Sequence, residues 1–151
     1  ASAGAVAISP LNVTNSSASQ GGSWPSGGQN ISNTQLNAAE KKLNAHNVKK
    51  LDVKWTYTTH GDVSATPAVV DGAVYFPDWG GFLNKVDAAT GAPIWSHPIS
   101  DYDGVAGSVS RASPAVVGNT VYLVDQNDGH MSAVNATTAA LIWPTRVDCG
   151  P

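Results

Sequence analysis

Residues 66–76, TPAVVDGAVYF, return 47 residues later as residues 113–123, SPAVVGNTVYL. After one inserted residue the similarity continues between residues 86–95, VDAATGAPIW, and residues 134–143, VNATTAALIW. A period of 40–50 residues with several short apolar segments in each copy is typical of the blades of a β-propeller. The repeat therefore predicts an all-β fold that contains about two blades.

The strands inside one repeat are predicted by its turns. Ala68–Val70 and Val74–Phe76 are rich in β-formers and flank Asp71-Gly72, which suits a type I′ hairpin because both turn residues need positive φ. Gly80-Gly81 and Thr90-Gly91 supply two further turns. Each repeat should therefore form a four-stranded antiparallel sheet, and such a sheet needs neighbours to cover its apolar residues.

The rest of the chain divides around the two repeats. Residues 1–23 are mostly small and polar and bury too little surface to offset the entropy of ordering, so we expect a flexible arm. In residues 24–60, Asn37 and Glu40 have the spacing of a capping box and predict one short helix that ends near Asn47. Residues 51–58 alternate apolar with polar and predict a strand. Residues 61–98 and 99–151 are then the first and second blades.

The composition excludes several classes of function. The chain has 15 Gly, 9 Pro and only 13% charged residues, and its formal charge of −3 leaves no basic field for nucleic acid. No apolar run approaches the roughly 18 residues of a membrane span. Nucleophile-elbow, phosphate-loop, dinucleotide and zinc-protease motifs are absent. The four His residues lack paired metal-ligand spacing, so we predict that they bind no metal.

Secretion is predicted from the start of the chain and from its glycosylation motifs. The chain begins at Ala1, as a mature protein does after removal of a signal peptide. Four Asn-x-Ser/Thr motifs provide candidate glycosylation sites, at Asn12, Asn15, Asn30 and Asn135. The single Cys149 is either a free thiol or bridged to a segment outside this chain. We expect an extracellular protein, or a periplasmic one if the source is bacterial.

Residues 87–95, DAATGAPIW, are similar to the tryptophan-docking motif of quinoprotein propellers, in which Gly follows Asp by four residues and Trp follows Gly by four. Trp143 ends a degenerate copy, and Trp55 resembles the end of a strand from the ring-closing blade. Three further segments look like the amino-terminal part of the polyvinyl-alcohol-dehydrogenase-like proteins: residues 24–34, 99–104 and 110–114. The resemblance to the PQQ-dependent (quinoprotein) alcohol dehydrogenases covers about residues 24–148.

The resemblance implies a ring of about eight four-stranded blades with pyrroloquinoline quinone (PQQ) and usually Ca²⁺ in the central funnel. Alcohols are oxidised there by hydride transfer to the quinone. This chain has too few repeats for that ring, so we expect it to supply the amino-terminal part of a propeller completed by the rest of a parent chain or by a companion chain. The catalytic Asp and the Ca²⁺-binding Asn of the family fall beyond this sequence, so no catalytic residue is assigned.

Three residues are predicted to bind the cofactor. Ser64 stands where the family has a cofactor-contacting Glu, and Asn119 stands where it has a cofactor-contacting Arg. Arg111 lies close by in the approach to the second blade. Ser113-Pro114 replaces a vicinal Cys pair of the family. These departures keep a rival hypothesis open: a non-catalytic secreted propeller that binds glycan or protein.

Other residues have a structural and a functional interpretation. Trp95 and Trp143 are predicted to pack between blades, whereas Trp79 either joins the core or lines a binding surface. Arg111 either neutralises an anionic quinone or pairs with Asp101 or Asp103. The oxygen-rich residues 101–103 and 125–129 are Ca²⁺ candidates, although turns are the favoured interpretation.

Overall fold

A computed structural model describes residues 22–127 and 129–147, which contain two four-stranded antiparallel sheets. The strands of the first sheet, in both spatial and chain order, are β1 (Ala68–Val70), β2 (Ala73–Pro77), β3 (Phe82–Asp87) and β4 (Pro93–Pro98). Those of the second are β5 (Ala115–Val117), β6 (Thr120–Val124), β7 (His130–Asn135) and β8 (Leu141–Arg146). A short helix α1 (Ser100–Asp103) lies between the sheets in sequence, and a 3₁₀ helix, Val48–Lys50, precedes them. The predicted all-β fold of four-stranded blades is confirmed.

The turns have the conformations that their residues predict. Asp71 (φ 49°) and Gly72 (φ 75°) are both left-handed, as a type I′ turn requires, and they join β1 to β2 with Val70 paired to Ala73. Both sheets have a register irregularity in the third strand, between Lys85 and Val86 and again between Ala133 and Val134. The two sequence repeats therefore form equivalent structures, and the register irregularity occurs at the same place in each.

One hydrophobic core joins the two sheets. Ala68 and Leu83 of the first sheet and Val121 and Val134 of the second are fully buried in the same cluster. Tyr102 of α1 completes the cluster, and its hydroxyl donates to the Ala139 carbonyl of the second sheet's last turn at 3.1 Å. Burial raises the pKa of the Tyr102 hydroxyl, so this donor stays protonated.

Tryptophans connect successive units of the chain. The Trp55 indole Nε1 donates to the Ala88 carbonyl at 3.1 Å, and the Trp95 indole Nε1 donates to the Ala136 carbonyl at 3.2 Å. Ala88 and Ala136 are equivalent positions in the two repeats, which confirms that Trp95 packs between blades. Trp143 is the third equivalent residue and is 40% exposed on β8.

The segment before the repeats crosses the first strand of each sheet. Trp24 forms an antiparallel bridge with Val69 on the free edge of β1, and the Pro25 carbonyl accepts the Val116 N–H of β5 at 2.8 Å. Residues 24 and 25 therefore tie the two sheets together at their first strands. No helix within the described ranges is long and apolar enough to cross a bilayer.

The helix predicted for this segment is wrong. Residues 37–47 form turns instead of a helix, and the helical turn lies later, at Val48–Lys50. Glu40 does not reach back to Asn37 as in a capping box, because its carboxylate accepts the N–H groups of Lys42 and Leu43. Residues 51–58 pair with none of the described strands, and their assignment to a strand of the ring-closing blade stays a prediction.

Candidate cofactor site at the loop edge of the two sheets

The loops at one end of each sheet form a continuous surface, which we call the loop edge. It comprises residues 60–67, which lead into β1, residues 78–81 between β2 and β3, residues 108–114, which lead into β5, and residues 125–127 and 129 between β6 and β7. Two hydrogen bonds support this edge: Thr66 N–H donates to Ser113 Oγ at 2.9 Å, and Gln126 N–H donates to the Val109 carbonyl at 2.9 Å.

Three side chains from different loops meet at the loop edge. The Trp79 indole Nε1 donates to the Ser64 hydroxyl oxygen at 3.0 Å. The Arg111 guanidinium lies over the Trp79 ring, with Cζ 5.6 Å from the ring centroid, which is within the range of a cation–π contact. We call Ser64, Trp79 and Arg111 the edge cluster. Trp79 is 40% exposed, so the cluster lies at the surface of the described residues.

A buried carboxylate holds the Trp79 loop in place. Asp78 is fully buried, and its Oδ2 accepts the Asn84 side-chain amide at 2.9 Å and the His60 N–H at 3.2 Å. Its Oδ1 accepts the Phe82 N–H across the turn at 3.2 Å. An unpaired buried carboxylate would be costly, and these three donors supply the compensation. Trp79 therefore extends from a loop anchored on both sides.

The edge cluster has no acidic partner for its arginine. Within residues 22–127 and 129–147, no ion pair joins Arg111 to a carboxylate. Asp101 lies beside His97 at 3.8 Å, and Asp103 Oδ1 accepts the Val105 N–H at 2.8 Å. The predicted alternative of an Arg111 pair with Asp101 or Asp103 is therefore wrong.

The third predicted cofactor residue lies elsewhere. Asn119 is in the β5–β6 hairpin, at the opposite end of β5 from Arg111. Its side-chain oxygen accepts the Thr137 hydroxyl at 2.8 Å, and its carbonyl accepts the Ala136 N–H at 2.9 Å. The structure thus brings Ser64 and Arg111 together through Trp79 and places Asn119 against Ala136, the residue whose carbonyl accepts Trp95.

A concave surface adjoins the loop edge and shares Val63 and Pro67 with it. It is an apolar groove of about 340 Å³ between residues 55–63 and the first sheet, where Tyr57 packs edge-on against Phe76 with ring centroids 5.9 Å apart. The lining consists of Trp55, Thr56, Tyr57, Thr59, Val63, Pro67, Val74 and Phe76. Because this lining has no charged side chain, the groove is a weaker candidate for an anionic cofactor than the edge cluster.

Comparison with known proteins assigns the family. Residues 14–150 match the PQQ_2 family, described as outer membrane protein assembly factor BamB. The chain belongs to this family of quinoprotein-type β-propellers. It is 34% identical over 128 residues to the quinohemoprotein alcohol dehydrogenase of Comamonas testosteroni, covering 80% of this chain and 18% of that protein. The crystal structure of the same enzyme aligns with a TM-score of 0.68 and 30% identity over 85% of this chain and 20% of that one.

The chain is also similar to outer membrane protein assembly factors. The BamB protein of Moranella endobia is 35% identical over 82 residues, which is 54% of this chain and 19% of that protein. In each case the chain spans about a fifth of the relative's length, in agreement with a partial propeller. The predicted resemblance to quinoprotein alcohol dehydrogenases is confirmed at the level of the family.

Ser113, which stands where the family resemblance places a vicinal Cys pair, packs against the segment before the first sheet. The Ser113 hydroxyl accepts the Thr66 N–H, and a Cβ built on Gly27 would lie 2.9 Å from the Ser113 Cβ. The backbone of residue 27 therefore lies directly against this position, so that a side chain at residue 27 would force a shift.

The oxygen-rich loops behave as turns in the described residues. Asp125 uses both carboxylate oxygens, accepting the Gly129 and His130 N–H groups at 3.0 Å each. No group of three or more His, Cys, Asp or Glu side chains suited to a metal ion occurs in residues 22–127 and 129–147. Asp128 lies outside the described residues.

Two of the four candidate glycosylation sites can be located. Asn30 is exposed, and its side-chain amide donates to the Thr34 hydroxyl at 2.6 Å. Asn135 is half-buried at the end of β7, and its side-chain oxygen accepts the Thr137 and Thr138 N–H groups at 2.9 and 3.0 Å. Asn12, Asn15 and Cys149 lie outside the described residues.

Sequence reasoning missed the repeated carboxylate of the loop edge. Asp78 and Asp125 are 47 residues apart, the spacing of the repeat, and each accepts backbone N–H groups of its own β-turn. Each also has a histidine Nδ1 nearby, His60 at 3.8 Å and His130 at 3.4 Å. Extending the repeat alignment through the dissimilar loops would have paired the two aspartates.

Proposed function

We propose that this chain forms the first blades of a quinoprotein-type dehydrogenase that oxidises alcohols with PQQ. The observation that carries the proposal is the edge cluster, an arginine without an acidic partner beside a tryptophan and a hydroxyl, in a chain of the quinoprotein family. Because the chain spans about a fifth of its relatives, activity belongs to the whole propeller, with the remaining blades supplied by a parent or companion chain.

The edge cluster suits the chemistry of this cofactor. PQQ is a planar aromatic tricarboxylate, so its recognition calls for cationic and neutral donors together with an aromatic surface. Arg111 supplies the cation, the Ser64 hydroxyl can donate while it accepts from Trp79, and the indole supplies the surface. When bound, the quinone accepts a hydride equivalent from the alcohol carbon. The role of this chain's residues is to bind and orient that group and to exclude water beside it.

Further parts of the proposal rest on the family resemblance and on sequence motifs. Asn119 would contact the cofactor only if the hairpin that contains it faced the funnel, because it lies at the other end of β5 from Arg111. Ca²⁺ would be held by residues outside this chain. We also propose secretion, extracellular or periplasmic, with N-glycosylation at one or more of the four motifs if the source is eukaryotic.

Reconstitution of the full-length parent tests the enzymatic proposal. With PQQ and Ca²⁺ added, we expect quinone absorbance on the purified protein and dye-linked oxidation of primary alcohols. The apo protein and a sample with Ca²⁺ alone are the controls. A folded full-length protein that binds no quinone by absorbance or calorimetry would overturn the proposal.

A non-catalytic propeller is the second candidate function. The similarity to the BamB protein and the Ser residues at positions 64 and 113 favour it. Under this hypothesis the full-length protein folds without a quinone and binds a glycan or protein instead. Mass spectrometry of the intact natural protein shows whether further blades accompany this chain, and a glycan array or affinity capture with the full-length protein then identifies the ligand.

A further inference from the structure

Positive charge is concentrated in one part of the segment before the first sheet. Five of the chain's eight Lys and Arg residues lie in residues 40–54, together with only two of its eleven acidic residues, although the formal charge of the chain is −3. Four of these lysines form two pairs, at residues 41–42 and 49–50, and all four are exposed. This part of the segment is therefore cationic in an otherwise acidic chain.

Two asparagines hold the lysine pairs near each other. The Asn47 side-chain amide donates to the Lys42 carbonyl at 2.6 Å, and its oxygen accepts the Asn44 N–H at 2.8 Å. The Asn44 carbonyl accepts the Val48 N–H at 3.0 Å. The two pairs therefore lie at the two ends of one hydrogen-bonded loop, residues 41–51, which we call the lysine loop.

Within the part of the chain that the structure describes, no carboxylate forms an ion pair with a lysine. The two acidic residues next to the lysine loop bind backbone groups instead. The Glu40 carboxylate accepts the N–H groups of Lys42 and Leu43, and the Asp52 carboxylate accepts the Val53 N–H at 2.8 Å. The charges of the loop are therefore available to a partner outside the chain.

Large aliphatic side chains are exposed between the lysines. Leu43 is 50% exposed, Val48 is 48% exposed and Leu51 is 60% exposed. The 3₁₀ helix that contains Val48 has no buried residue, so these side chains are not part of the core. Lysines mixed with exposed aliphatic side chains are typical of segments that lie on a membrane surface, where the cations meet the headgroups and the apolar groups enter the boundary with the acyl chains.

The composition of the lysine loop favours a bilayer over an acidic protein as the partner. Protein interfaces are enriched in arginine and aromatic residues and depleted in lysine. The lysine loop contains four lysines and no Arg, Phe, Trp or Tyr. A lysine ammonium is a hydrated point charge on a flexible stem, which suits a layer of lipid phosphates because that layer requires no fixed pairing geometry.

We propose that residues 41–51 bind the headgroup region of an anionic phospholipid bilayer, with the four lysines at the phosphates and Leu43, Val48 and Leu51 in the interface. The proposal goes beyond the quinone chemistry and does not depend on it, because it concerns the surface on which the protein is held.

Co-sedimentation of the full-length protein with lipid vesicles tests the proposal, since any further blades then cover the faces that they cover in the natural protein. The probe is a vesicle of equal parts phosphatidylglycerol and phosphatidylcholine, and the control is phosphatidylcholine alone. We expect at least about tenfold tighter binding to the anionic vesicles, and weaker binding as the salt concentration rises. No binding to the anionic vesicles, or equal affinity for both, would overturn the proposal.

Charge variants assign the lysines. Lys49→Gln combined with Lys50→Gln should weaken binding to the anionic vesicles at least about tenfold, because each lysine near such a surface contributes about fivefold. Lys49→Arg combined with Lys50→Arg keeps the charge and should bind within about twofold of wild type. Thermal unfolding checks the fold of each variant. A Gln variant with wild-type affinity, or an Arg variant as weak as the Gln variant, would contradict the assignment.

Aliphatic variants distinguish a bilayer from an acidic polypeptide. Leu43→Ser combined with Leu51→Ser leaves the charge unchanged and should weaken vesicle binding at least about fivefold, because less apolar surface enters the lipid. Val117→Ser, at an exposed valine of β5, is the matched control and should change the affinity less than about twofold. Wild-type vesicle affinity of the Leu variant, together with lysine-dependent binding of poly-glutamate, would overturn the bilayer proposal and assign an acidic polypeptide as the partner.

PQQ binding by the same proteins separates this inference from the proposed function. Gln variants that lose vesicle binding and keep PQQ binding support the membrane surface. Vesicle binding by a full-length protein that binds no PQQ also supports it and counts against the quinone function. Loss of both activities in Gln variants with unchanged thermal unfolding would place the lysines at the cofactor and overturn the membrane surface.

Discussion

Asp87 and Asn135 occupy equivalent turns, and each accepts two backbone N–H groups through a side-chain oxygen. The acceptor is a carboxylate in Asp87 and an amide in Asn135. Asp87 Oδ1 accepts the N–H groups of Ala89 and Thr90 at 3.0 and 2.8 Å, and also the Thr90 hydroxyl at 2.8 Å. The Asn135 oxygen accepts the two equivalent N–H groups in the second sheet. Only the first of these turns contains an ionisable side chain. Lowering the pH can therefore protonate Asp87 and weaken its hydrogen bonds, whereas those of Asn135 do not depend on pH.

The Asp87 carboxyl is therefore expected to titrate below its ordinary pKa of 3.8, mainly because the Thr90 hydroxyl and then the Thr90 N–H donate to its charged form. Because the folded-state pKa is lowered, its contribution to stability is present above the ordinary pKa and is lost as the pH falls through the folded-state value. Thr90→Val should raise the pKa toward 3.8, as measured by NMR titration of the Asp87 carboxyl carbon. Thr138→Val is the matched control in the second turn and should leave the Asp87 pKa unchanged. An unaltered Asp87 pKa in Thr90→Val would refute the assignment.

Gly91 is required both for its positive φ and for the close approach of Trp55. Its φ is 74°, and an added Cβ would lie 2.6 Å from the Trp55 ring. Gly72 has nearly the same φ, 75°, but an added Cβ there would contact nothing. At the position equivalent to Gly91, Ala139 has a φ of 61°. The second repeat therefore accepts the backbone strain that the first avoids.

Alanine variants of the two glycines separate the free-energy cost of a positive φ from the cost of a steric clash with Trp55. Gly72→Ala should lower the free energy of unfolding by about 1 kcal/mol, the usual cost of a left-handed non-glycine residue. Gly91→Ala should lower it by about 1–3 kcal/mol more, because the Cβ displaces the Trp55 ring. Urea denaturation measures both, and the Trp55 indole N–H signal should shift only in Gly91→Ala. Equal losses in the two variants would show that Trp55 packing adds nothing.

At the scale of elements, β4 and β8 have equivalent tryptophans at their third residues, with different surroundings. Trp95 packs on Tyr75 with ring centroids 6.1 Å apart, and Trp143 packs on Tyr122 at 6.2 Å. Only Trp95 also donates to the next sheet, at the Ala136 carbonyl, which accepts the Lys85 ammonium as well at 2.8 Å. β4 is therefore linked to the second sheet through the Trp95 side chain, since its backbone pairs with β3 and with no strand of that sheet.

Replacing each tryptophan by phenylalanine isolates the contribution of docking. Trp95→Phe should lower the free energy of unfolding by about 1 kcal/mol, since one buried hydrogen bond is lost while Lys85 still satisfies the Ala136 carbonyl. Trp143→Phe keeps the equivalent ring contact and should cost less than about 0.5 kcal/mol. Chemical denaturation provides the comparison. Losses of the same size would mean that Trp95 stabilises only its own sheet.

At the scale of the whole molecule, large apolar side chains are exposed on the last strand and in the segment before the first sheet. On β8, Ile142 is 50% exposed and Trp143 is 40% exposed, and Leu36 and Val53 are exposed in the segment before the first sheet. Among the described strands the backbone of β8 pairs with β7 alone, so its other edge is open there. Open edges beside exposed apolar side chains favour pairing between chains.

The isolated chain of 151 residues is accordingly expected to self-associate. Covering one large apolar side chain contributes about 1.5–3 kcal/mol, which is a large part of the 5–15 kcal/mol net stability of a typical domain. Ile142→Lys combined with Trp143→Lys should shift the sedimentation coefficient toward that of the monomer, whereas Ala140→Lys in the neighbouring turn should not. A wild-type chain that stays monomeric at high concentration and unfolds cooperatively would contradict this expectation.

The local features of the fold could be predicted from the sequence alone. The period of 47–48 residues, the four strands of each repeat and the positive φ values at Asp71 and Gly72 all follow from short-range patterns. Such features depend on turn chemistry and on alternation along the chain, which are properties of neighbouring residues.

Other features were decided only by tertiary structure. Residues 37–47 have helical spacing but gain no buried apolar face, and a helix of that length is marginal without one. The strand pattern of residues 51–58 lacks a pairing partner among the described strands. Ser64 and Arg111, 47 residues apart, meet because equivalent ends of the two sheets lie side by side, whereas Asn119 is close to Arg111 in sequence but lies at the far end of a strand. Proximity across sheets depends on how the blades pack, and no short stretch of sequence contains that information.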